Sequence, residues 1–320
     1  MHNMSRDQAE GLRRLLGQQG LRIVRLNSGR SGVGKTSCAI NLAAALVEKG
    51  REVLILDENE DQGNIADCLG QPAHRNFLKA VREQCELEES IQRAADISFL
   101  PAACGMAELA RLPHENRLRL SDTLTACKLA CDVVIIDTVA GSSSRLLPLA
   151  LRDQEEILVV TDSVASITDA YAFIKGATNE YGKRSYRVLM SKVRNEQQGR
   201  AIFRNMADAA RRYLGVELDL MGMIPADDAV KRAAGMGLSV LKAFPDSSAA
   251  AVFRHLGMAV AEWPRPIDGG DIAGFLHGLI RCVANQTPAS GKEPSSTWCV
   301  PRGAGSVKPR ASGARIALAS

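Results

Sequence analysis

Apolar residues along this chain follow two alternating patterns: short continuous runs, and longer stretches with helical periodicity. The continuous runs are typical of parallel β-strands covered on both faces, because such strands have no solvated side. We predict strands at Arg22–Leu26, Glu52–Leu56, Ile97–Pro101, Val133–Asp137, Glu156–Thr161, Ser185–Ser191 and Leu218–Ile224.

The stretches with helical periodicity lie between most of these runs. We predict helices over 36–49, 105–129, 144–151, 166–180 and 195–213, and two closing helices over 226–242 and 246–262. Strands that alternate with helices in this way build a doubly wound sheet. We therefore expect an α/β fold of the doubly wound, mostly parallel type.

Changes in composition divide the chain into four regions. A short amphipathic segment over 6–17 defines an N-terminal helix region, 1–19, ahead of the main domain, 20–263. Prolines and glycines then mark a break, and an amphipathic helix over 271–285 completes a linker-and-helix region, 264–285. The last region, 286–320, is rich in Ser, Pro, Gly, Ala and Arg without a period, which predicts a disordered basic tail.

The bulk composition narrows the class of protein. Hydrophobic residues make up 46% of the 320 positions and aromatic residues 4%, so we expect a large core of mainly aliphatic side chains. The net charge of +4 is too small to indicate nucleic-acid binding by itself. The eight cysteines form no C-x-x-C pair, the start of the chain is polar, and no apolar run is long enough to span a membrane. These features predict a cytoplasmic protein with reduced thiols.

A glycine-rich segment directly after the first predicted strand has the spacing of a phosphate-binding loop. Small residues there let backbone N–H groups turn inward around phosphate oxygens. Lys35 is placed to reach the β- and γ-phosphates and Thr36 to ligate Mg²⁺. The alternative is a structural glycine-rich turn. The predicted nucleotide-binding residues are Gly29, Arg30, Ser31, Gly32, Val33, Gly34, Lys35, Thr36 and Ser37.

A carboxylate at the end of a predicted strand is a candidate for a metal site. In the run Val133–Asp137, four apolar residues are followed by an aspartate, which is a Walker B pattern. Such a strand carries its carboxylate to the carboxyl edge of the sheet, where Mg²⁺ and its waters lie in nucleotide-binding folds. Asp57 follows the second strand in the same way. The alternative for Asp137 is a strand-end cap.

The loop resembles that of the MinD/ParA family of deviant Walker A ATPases, whose motif is K-G-G-x-G-K-T. The segment from Arg30 to Thr36 aligns with this motif, with Arg30 at its first lysine and Ser31 at its first glycine. The resemblance implies ATP and Mg²⁺ as ligands and an ATP-dependent homodimer. In the family the first lysine contacts the phosphates of the other subunit, so the resemblance gives that role to Arg30.

The segment after the second strand resembles the family's first switch, D-x-D-x-x-x-x-N. Asp57 and Asn64 match it, but Asn59 occupies the position of the second aspartate, which positions the attacking water in the family. A neutral amide can hold water but cannot act as a base. Both slow hydrolysis and a switch with almost none therefore remain open. The implied catalytic positions are Lys35, Asp57, Asn59 and Asp137, and the implied Mg²⁺ positions, mostly through water, are Thr36, Asp57 and Asp137.

Three further segments resemble the FlhG/FleN branch of the family, which regulates flagellar number and placement. They are Thr161–Lys175, Leu100–Leu109 and Gly215–Val230. The resemblance places the adenine near Ser191, Pro225 and Asp227, although Ser191 stands where the family usually has an asparagine. It also implies flagellar basal-body or transcription-regulator proteins as partners.

The N-terminal region carries the D-Q-A-x-x-L-R motif of the same branch. Asp7, Gln8, Leu12 and Arg13 match it. In the family this helix docks on FlhF, a GTPase of the signal-recognition-particle type, and stimulates GTP hydrolysis. Gln8 has the chemistry to orient an attacking water. The alternative is an ordinary amphipathic cap helix.

Two predicted surfaces do not identify what they contact. One apolar stripe on the last predicted helix comprises Ile272, Phe275, Leu276, Leu279, Ile280 and Val283. It predicts either docking on the protein body or conditional contact with the inner face of the cell membrane, as in MinD-type proteins. Arginines around the helix over 195–213 favour a solvated face over a DNA-binding one.

Three functional hypotheses follow from these residues. The first is an ATP-dependent dimerising switch that controls flagellar number or placement. The second is a non-hydrolysing adaptor with a degenerate nucleotide site, which acts through its N-terminal helix. The third, less favoured, is a partition ATPase of the ParA type.

Overall fold

A computed structural model describes residues 20–59, 62–71, 87–102, 112–113, 129–141, 154–264 and 270–285. Within these residues, an eight-stranded sheet has the strand order β3-β4-β2-β5-β1-β6-β7-β8. β3 pairs antiparallel with β4, and the other neighbouring strands in the sheet are parallel. The strands are β1 (Arg22–Asn27), β2 (Val53–Asp57), β3 (Gln92–Ala94), β4 (Ile97–Pro101), β5 (Val133–Asp137), β6 (Gln154–Val160), β7 (Ser185–Val193) and β8 (Glu217–Pro225).

Helices connect the parallel strands and cover both faces of the sheet, so the predicted doubly wound α/β fold is confirmed. The described helices are α1 (Lys35–Glu48), α2 (Ile65–Cys68), α3 (Val164–Tyr181), α4 (Glu196–Leu214), α5 (Asp228–Gly235), α6 (Val240–Ala243), α7 (Ser248–Glu262) and α8 (Ile272–Asn285), with a 3-10 turn at Leu87–Ser90. Within the described residues, no helix has the length and apolar character needed to cross a membrane.

Two elements of the structure differ from the sequence prediction. β3 was not predicted, because it is a three-residue edge strand with polar residues that shows no apolar run. The single helix expected over 226–242 is wrong: it is divided into α5 and α6. The break contains Gly237 with φ of +69°, and a Cβ there would lie 3.0 Å from the carbonyl oxygen of Leu69. This backbone conformation favours glycine and ends a helix.

Several predictions fall on parts of the chain outside the described residues. They are the N-terminal helix with Asp7, Gln8, Leu12 and Arg13, the helix over 144–151 and the tail over 286–320. Of the helix expected over 105–129, only residues 112, 113 and 129 are described, and these three are not helical.

The core divides into two apolar layers, one on each face of the sheet. α1 and α7 cover one face, and a Cβ added to Gly257 would lie 2.7 Å from the Cβ of Ala45, so the two helices approach closely. α3 and α4 cover the other face beside β6, β7 and β8. Each fully buried aliphatic side chain in these layers contributes about 1.5–3 kcal/mol.

A buried ion pair joins the central strands β1 and β6. Arg25 Nη1 lies 3.4 Å from Glu156 Oε1, and both side chains are at most 3% exposed. Glu156 also accepts a hydrogen bond from Asn27 Nδ2 at 3.3 Å and lies 3.5 Å from Lys183 Nζ. Because Arg25 and Glu156 are register partners in the parallel ladder, their pairing belongs to the sheet itself.

The amino-terminal part of α8 packs into the protein. Ile272, Phe275 and Leu276 are each at most 5% exposed. The backbone N–H of Leu21 donates to the carbonyl oxygen of Gly270 at 2.9 Å, which ties the approach to α8 to the start of β1. The side chains of Leu279, Ile280 and Val283 lie outside the described residues. Docking therefore accounts for the described part of the predicted stripe, and membrane contact stays a prediction.

Candidate phosphate-binding site

The candidate site lies where three neighbouring parallel strands end. β5 pairs with both β1 and β2, and Asp137 is the register partner of Asp57 on one side and of Leu26 on the other. The glycine-rich loop follows β1 directly and leads into α1. The loop and both predicted carboxylates therefore meet at one edge of the sheet, because the carboxyl ends of parallel strands share an edge.

The loop has the backbone conformation that its glycines permit. Gly32 has φ of +78° and Gly34 φ of +92°, values that favour glycine. Ser31 is not among the residues with positive φ, so its side chain fits this loop without backbone strain. Val33 is buried beneath the loop, whereas Lys35, Thr36 and Ser37 begin α1. The amino end of α1 adds its partial positive charge to the site.

Gly29 is required by packing against α3. A Cβ at this position would lie 2.2 Å from the backbone carbon of Asp169, a distance that real Cβ atoms do not reach. On its other side, the carbonyl oxygen of Gly29 would be 3.1 Å from a Cβ on Gly141. The N–H of Gly141 donates to the carbonyl oxygen of Ser28 at 2.8 Å. The first glycine of the motif thus seats the loop between α3 and the segment after β5.

Lys35, Thr36 and Asp137 form the centre of the site. Lys35 Nζ lies 2.6 Å from Asp137 Oδ1 and also donates to the carbonyl oxygen of Thr138. Thr36 Oγ1 donates to Asp137 Oδ2 at 2.7 Å. Lys35 is 7% exposed and Asp137 fully buried, so this charge pair is well shielded from water. The lysine and the hydroxyl that the motif assigns to phosphate and metal therefore converge on one carboxylate.

Asn59 bridges the two strand-end carboxylates. Its Nδ2 donates to Asp57 Oδ1 at 3.1 Å and to Asp137 Oδ2 at 3.0 Å, and its backbone N–H donates to Asp57 Oδ1 at 2.9 Å. The N–H of Ile65 holds the other oxygen of Asp57 at 2.7 Å. A carboxylate in place of Asn59 could not donate and would repel both aspartates. The amide at this position thus fits between two carboxylates that both need a donor.

The environment of Asp57 disfavours its charge. Burial and the neighbouring Asp137 raise the pKa of Asp57 to about 7, against the hydrogen bonds from Asn59 and Ile65, which lower it. A buried carboxyl beside a second carboxylate is stabilised when a cation approaches. The site is therefore short of positive charge on the side of Asp57.

Arg30 lies on the surface of the loop. Its Nη1 is 3.7 Å from Asp169 Oδ2 on α3, with the two side chains 45% and 44% exposed. A pair at this distance and exposure is worth at most about 1 kcal/mol, so Arg30 can leave it at little cost. Its role toward a second subunit stays a prediction.

The predicted adenine-side residues lie at the ends of β7 and β8. Ser191 is 4% exposed, and its Oγ would be 3.2 Å from a Cβ on Gly34, so it packs directly beside the loop. Asp227 caps two helices instead of pointing to an open site: one oxygen accepts from Ala229 N at 2.8 Å, and the other from Ser248 Oγ at 3.0 Å. These backbone and hydroxyl hydrogen bonds lower the pKa of Asp227. Pro225 ends β8.

Sequence reasoning missed one residue at the loop. Lys192 Nζ donates to the carbonyl oxygen of Gly32 at 2.7 Å. The signal in the sequence is a cation directly after the apolar end of a predicted strand, but the pairing that brings this strand end to the loop is not visible in the sequence.

Comparison with known proteins places this site in a family. The family profile described as "AAA domain" matches residues 21–179. The chain is 32% identical over 273 residues to the antiactivator FleN of Pseudomonas aeruginosa, a match that covers 85% of this chain and 96% of that protein. It is 26% identical over 213 residues to the flagellum site-determining protein YlxH of Helicobacter pylori, covering 66% of this chain and 72% of that protein.

A solved structure has the same fold. It is the septum site-determining protein MinD from Pyrococcus horikoshii OT3, complexed with Mg-ADP, with a TM-score of 0.57 and 22% identity over 76% of this chain and 96% of that one. At this identity the likeness shows the fold alone. The FleN match spans almost the whole length of both proteins, and the phosphate-binding geometry agrees with it. The chain belongs to the MinD/ParA family of P-loop ATPases, in its FlhG/FleN branch.

Proposed function

We propose that this protein is an ATP- and Mg²⁺-binding switch that dimerises with ATP and regulates flagellar number or placement. The observation that carries the proposal is the convergence of Lys35 and Thr36 on Asp137 beneath the loop. The names of its relatives, an antiactivator of P. aeruginosa and a flagellum site-determining protein of H. pylori, supply the flagellar context.

The residues at the strand ends fit a magnesium nucleotide. A threonine hydroxyl and two aspartates offer the hard oxygen ligands that Mg²⁺ prefers. Burial and Asp137 raise the pKa of Asp57, and a bound cation would stabilise its charged form. Lys35 has two acceptors in this state, Asp137 and the carbonyl of Thr138. A triphosphate would supply the negative charge for Lys35 and the loop N–H groups, and Mg²⁺ would neutralise the aspartates.

The proposed action of the chain is an exchange of hydrogen-bond partners. Lys35 would contact the phosphates of a bound nucleotide, and Thr36, Asp137 and, mostly through water, Asp57 would hold the metal, which would neutralise phosphate charge. Arg30, whose contact with Asp169 is exposed, would reach the phosphates of a second subunit. Because a ligand shifts an equilibrium only by its differential affinity, the dimer must bind ATP more tightly than the monomer does.

The partners form the finer part of the proposal. We assign to the switch a flagellar transcription regulator or basal-body protein, and an FlhF-type GTPase contacted through Asp7, Gln8, Leu12 and Arg13. These four residues match the branch motif in sequence and lie outside the described residues. The proposed location is the cytoplasm, with conditional contact of α8 with the inner face of the cell membrane.

ATP-dependent dimerisation tests the switch. We expect the wild-type chain to change from monomer to dimer with ATP and Mg²⁺ in light scattering, and the Lys35→Ala and Arg30→Ala variants to stay monomeric. Arg200→Ala is the matched control, since Arg200 is an exposed arginine paired with Glu196 within α4. Dimerisation that is indifferent to both loop substitutions would contradict the switch.

One observation favours the adaptor as a second candidate. Asn59 places an amide where a carboxylate would be needed to activate water, and it already bonds both aspartates. Measured ATP turnover separates the candidates: slow turnover that Lys35→Ala abolishes favours the ATPase switch. Turnover that is absent in the wild-type chain, together with FlhF stimulation that persists in Lys35→Ala, favours the adaptor.

A further inference from the structure

Lys192 has a backbone conformation that its side chain disfavours. Its φ is +58°, and among the described residues the other non-glycine residues with positive φ are Ala95 and Asp96. Ala95 and Asp96 form the two-residue turn between β3 and β4, where such angles are ordinary for a tight hairpin. Lys192 instead lies near the end of a long strand, where no turn requires the angle.

A bulge in β7 accompanies this conformation. Met190 pairs with Met223 and Val193 with Pro225, so β7 advances three residues while β8 advances two. The extra residue redirects the chain at Ser191 and Lys192. Bulges of this kind turn a side chain toward a new target and are frequent beside functional sites.

The target of the redirected side chain is the phosphate loop. Lys192 Nζ donates to the carbonyl oxygen of Gly32 at 2.7 Å, across 160 residues of sequence. Its Cε would lie 3.5 Å from a Cβ on Gly34, while Ser191 Oγ lies 3.2 Å from the same point. The end of β7 thus covers the loop from Gly32 to Gly34.

Peptide geometry gives this contact a consequence. The carbonyl of Gly32 and the N–H of Val33 belong to one planar trans peptide and point in opposite directions. When Lys192 holds the carbonyl, the N–H of Val33 is fixed on the side of the loop away from Lys192. Rotation of this peptide changes ψ of Gly32 and φ of Val33, and because Gly32 has no Cβ its backbone allows a wide range of such angles unless a contact holds the carbonyl.

We infer that Lys192 is a positioning residue that holds the Gly32–Val33 peptide so that the loop is preformed for phosphate. The inference rests on the proposed function, since a preformed loop needs a nucleotide to receive. Strained backbone persists where the surrounding structure holds it in place. Here the strained residue, Lys192, directs its ammonium group to the phosphate-binding loop. Lys192 acts through the loop and is separate from Lys35, which pairs with Asp137.

Nucleotide titration of the full chain tests the inference. With fluorescent ATP and ADP analogues, we expect Lys192→Met to weaken both by about tenfold, the order of a lost charged hydrogen bond. Lys192→Arg keeps a cation and should bind within about threefold of wild type. Lys192→Gly relieves the positive φ, so its melting temperature without nucleotide should be at or above that of wild type while its affinity falls as in Lys192→Met.

A second measurement works without nucleotide. Amide hydrogen exchange over 29–36 should be faster in Lys192→Met and Lys192→Gly than in wild type and Lys192→Arg. Unchanged exchange with unchanged affinity would overturn the inference and leave the proposed function intact. A loss confined to ATP would also overturn it, because it would place the ammonium on the γ-phosphate. If wild type binds neither nucleotide but exchange still depends on Lys192, the proposed function fails and the positioning of the loop stands.

Discussion

Two buried pairs of a basic and an acidic side chain lie in or next to the central strand β1, and their surroundings differ. Arg25 and Glu156 lie within the β1–β6 ladder, whereas Asp137 is the last residue of β5 and Lys35 begins α1, after the loop that follows β1. The first pair joins two neighbouring strands inside the sheet. The second has a loop of glycines above it and a second carboxylate beside it, so its lysine has another use. Position along the strand, more than burial or distance, distinguishes the structural ion pair from the candidate functional one.

Removing one member of the structural pair should have the largest effect. Glu156→Ala leaves Arg25 buried without its carboxylate, and breaking a buried pair in this way costs about 3–5 kcal/mol. Urea unfolding measures it. Glu155→Ala is the matched control, because its pair with Arg187 is about one-third exposed and should be worth below about 1 kcal/mol. Equal losses in the two variants would remove the distinction between the positions.

Substitution in the candidate functional pair, Lys35 and Asp137, should change ATP affinity more than the free energy of unfolding. In Lys35→Met, Asp137 keeps the hydrogen bonds from Thr36 and Asn59, so we expect a smaller loss of unfolding free energy than in Glu156→Ala. ATP affinity should fall by about 100-fold, because a buried charged contact is lost. Calorimetric titration measures it. Lys183→Met, which alters the surroundings of Glu156, should bind ATP as wild type does.

Changing the bridge between the aspartates sharpens the contrast. Asn59→Asp removes two donated hydrogen bonds and adds a third carboxylate, so we expect about 2 kcal/mol of destabilisation without metal. Mg²⁺ should restore part of it. Thermal unfolding with and without Mg²⁺ measures both effects. Asn64→Asp keeps an oxygen acceptor for the N–H of Asp67 and serves as the control. Metal-independent loss in Asn59→Asp would argue against a cation site here.

A partly exposed carboxylate outside both pairs gives the smallest effect. Asp227 caps α5 and contacts the start of α7, so Asp227→Ala should cost about 1 kcal/mol at neutral pH. Its pKa is lowered in the folded chain, so its contribution is present above the unfolded value near 3.8 and is lost as pH falls through the folded value. The difference in unfolding free energy between wild type and Asp227→Ala should therefore be smaller at pH 3 than at pH 7. A difference independent of pH would assign the effect to packing.

The sequence was sufficient to predict the loop and the strand-end carboxylates. Both signals are local: an apolar run gives the strand, and the residues just after it reach the edge of the sheet. Asp57 and Asp137 were each expected at a strand end, and the structure shows that they are register partners.

Non-local geometry was not predictable in this way. Lys192 reaches Gly32 only because β7 carries a bulge relative to β8, and a bulge is a property of the pairing. The break before α6 depends on how closely Gly237 approaches Leu69, which no periodicity reports. Asn59 was predicted as an amide at the family's water-positioning place, but its donation to two carboxylates depends on their relative positions, which the sequence does not show.

The contact between Gly29 and the backbone of α3 affects how mutational screens of this protein should be interpreted. A screen that scores ATP binding would count any substitution at Gly29 as a defect in the phosphate loop. The added Cβ would first collide with Asp169 and Ala170, so the primary lesion would be a displaced helix. Intolerance at this position reports the packing of the loop against α3, and the proposed nucleotide contacts are better judged from Lys35.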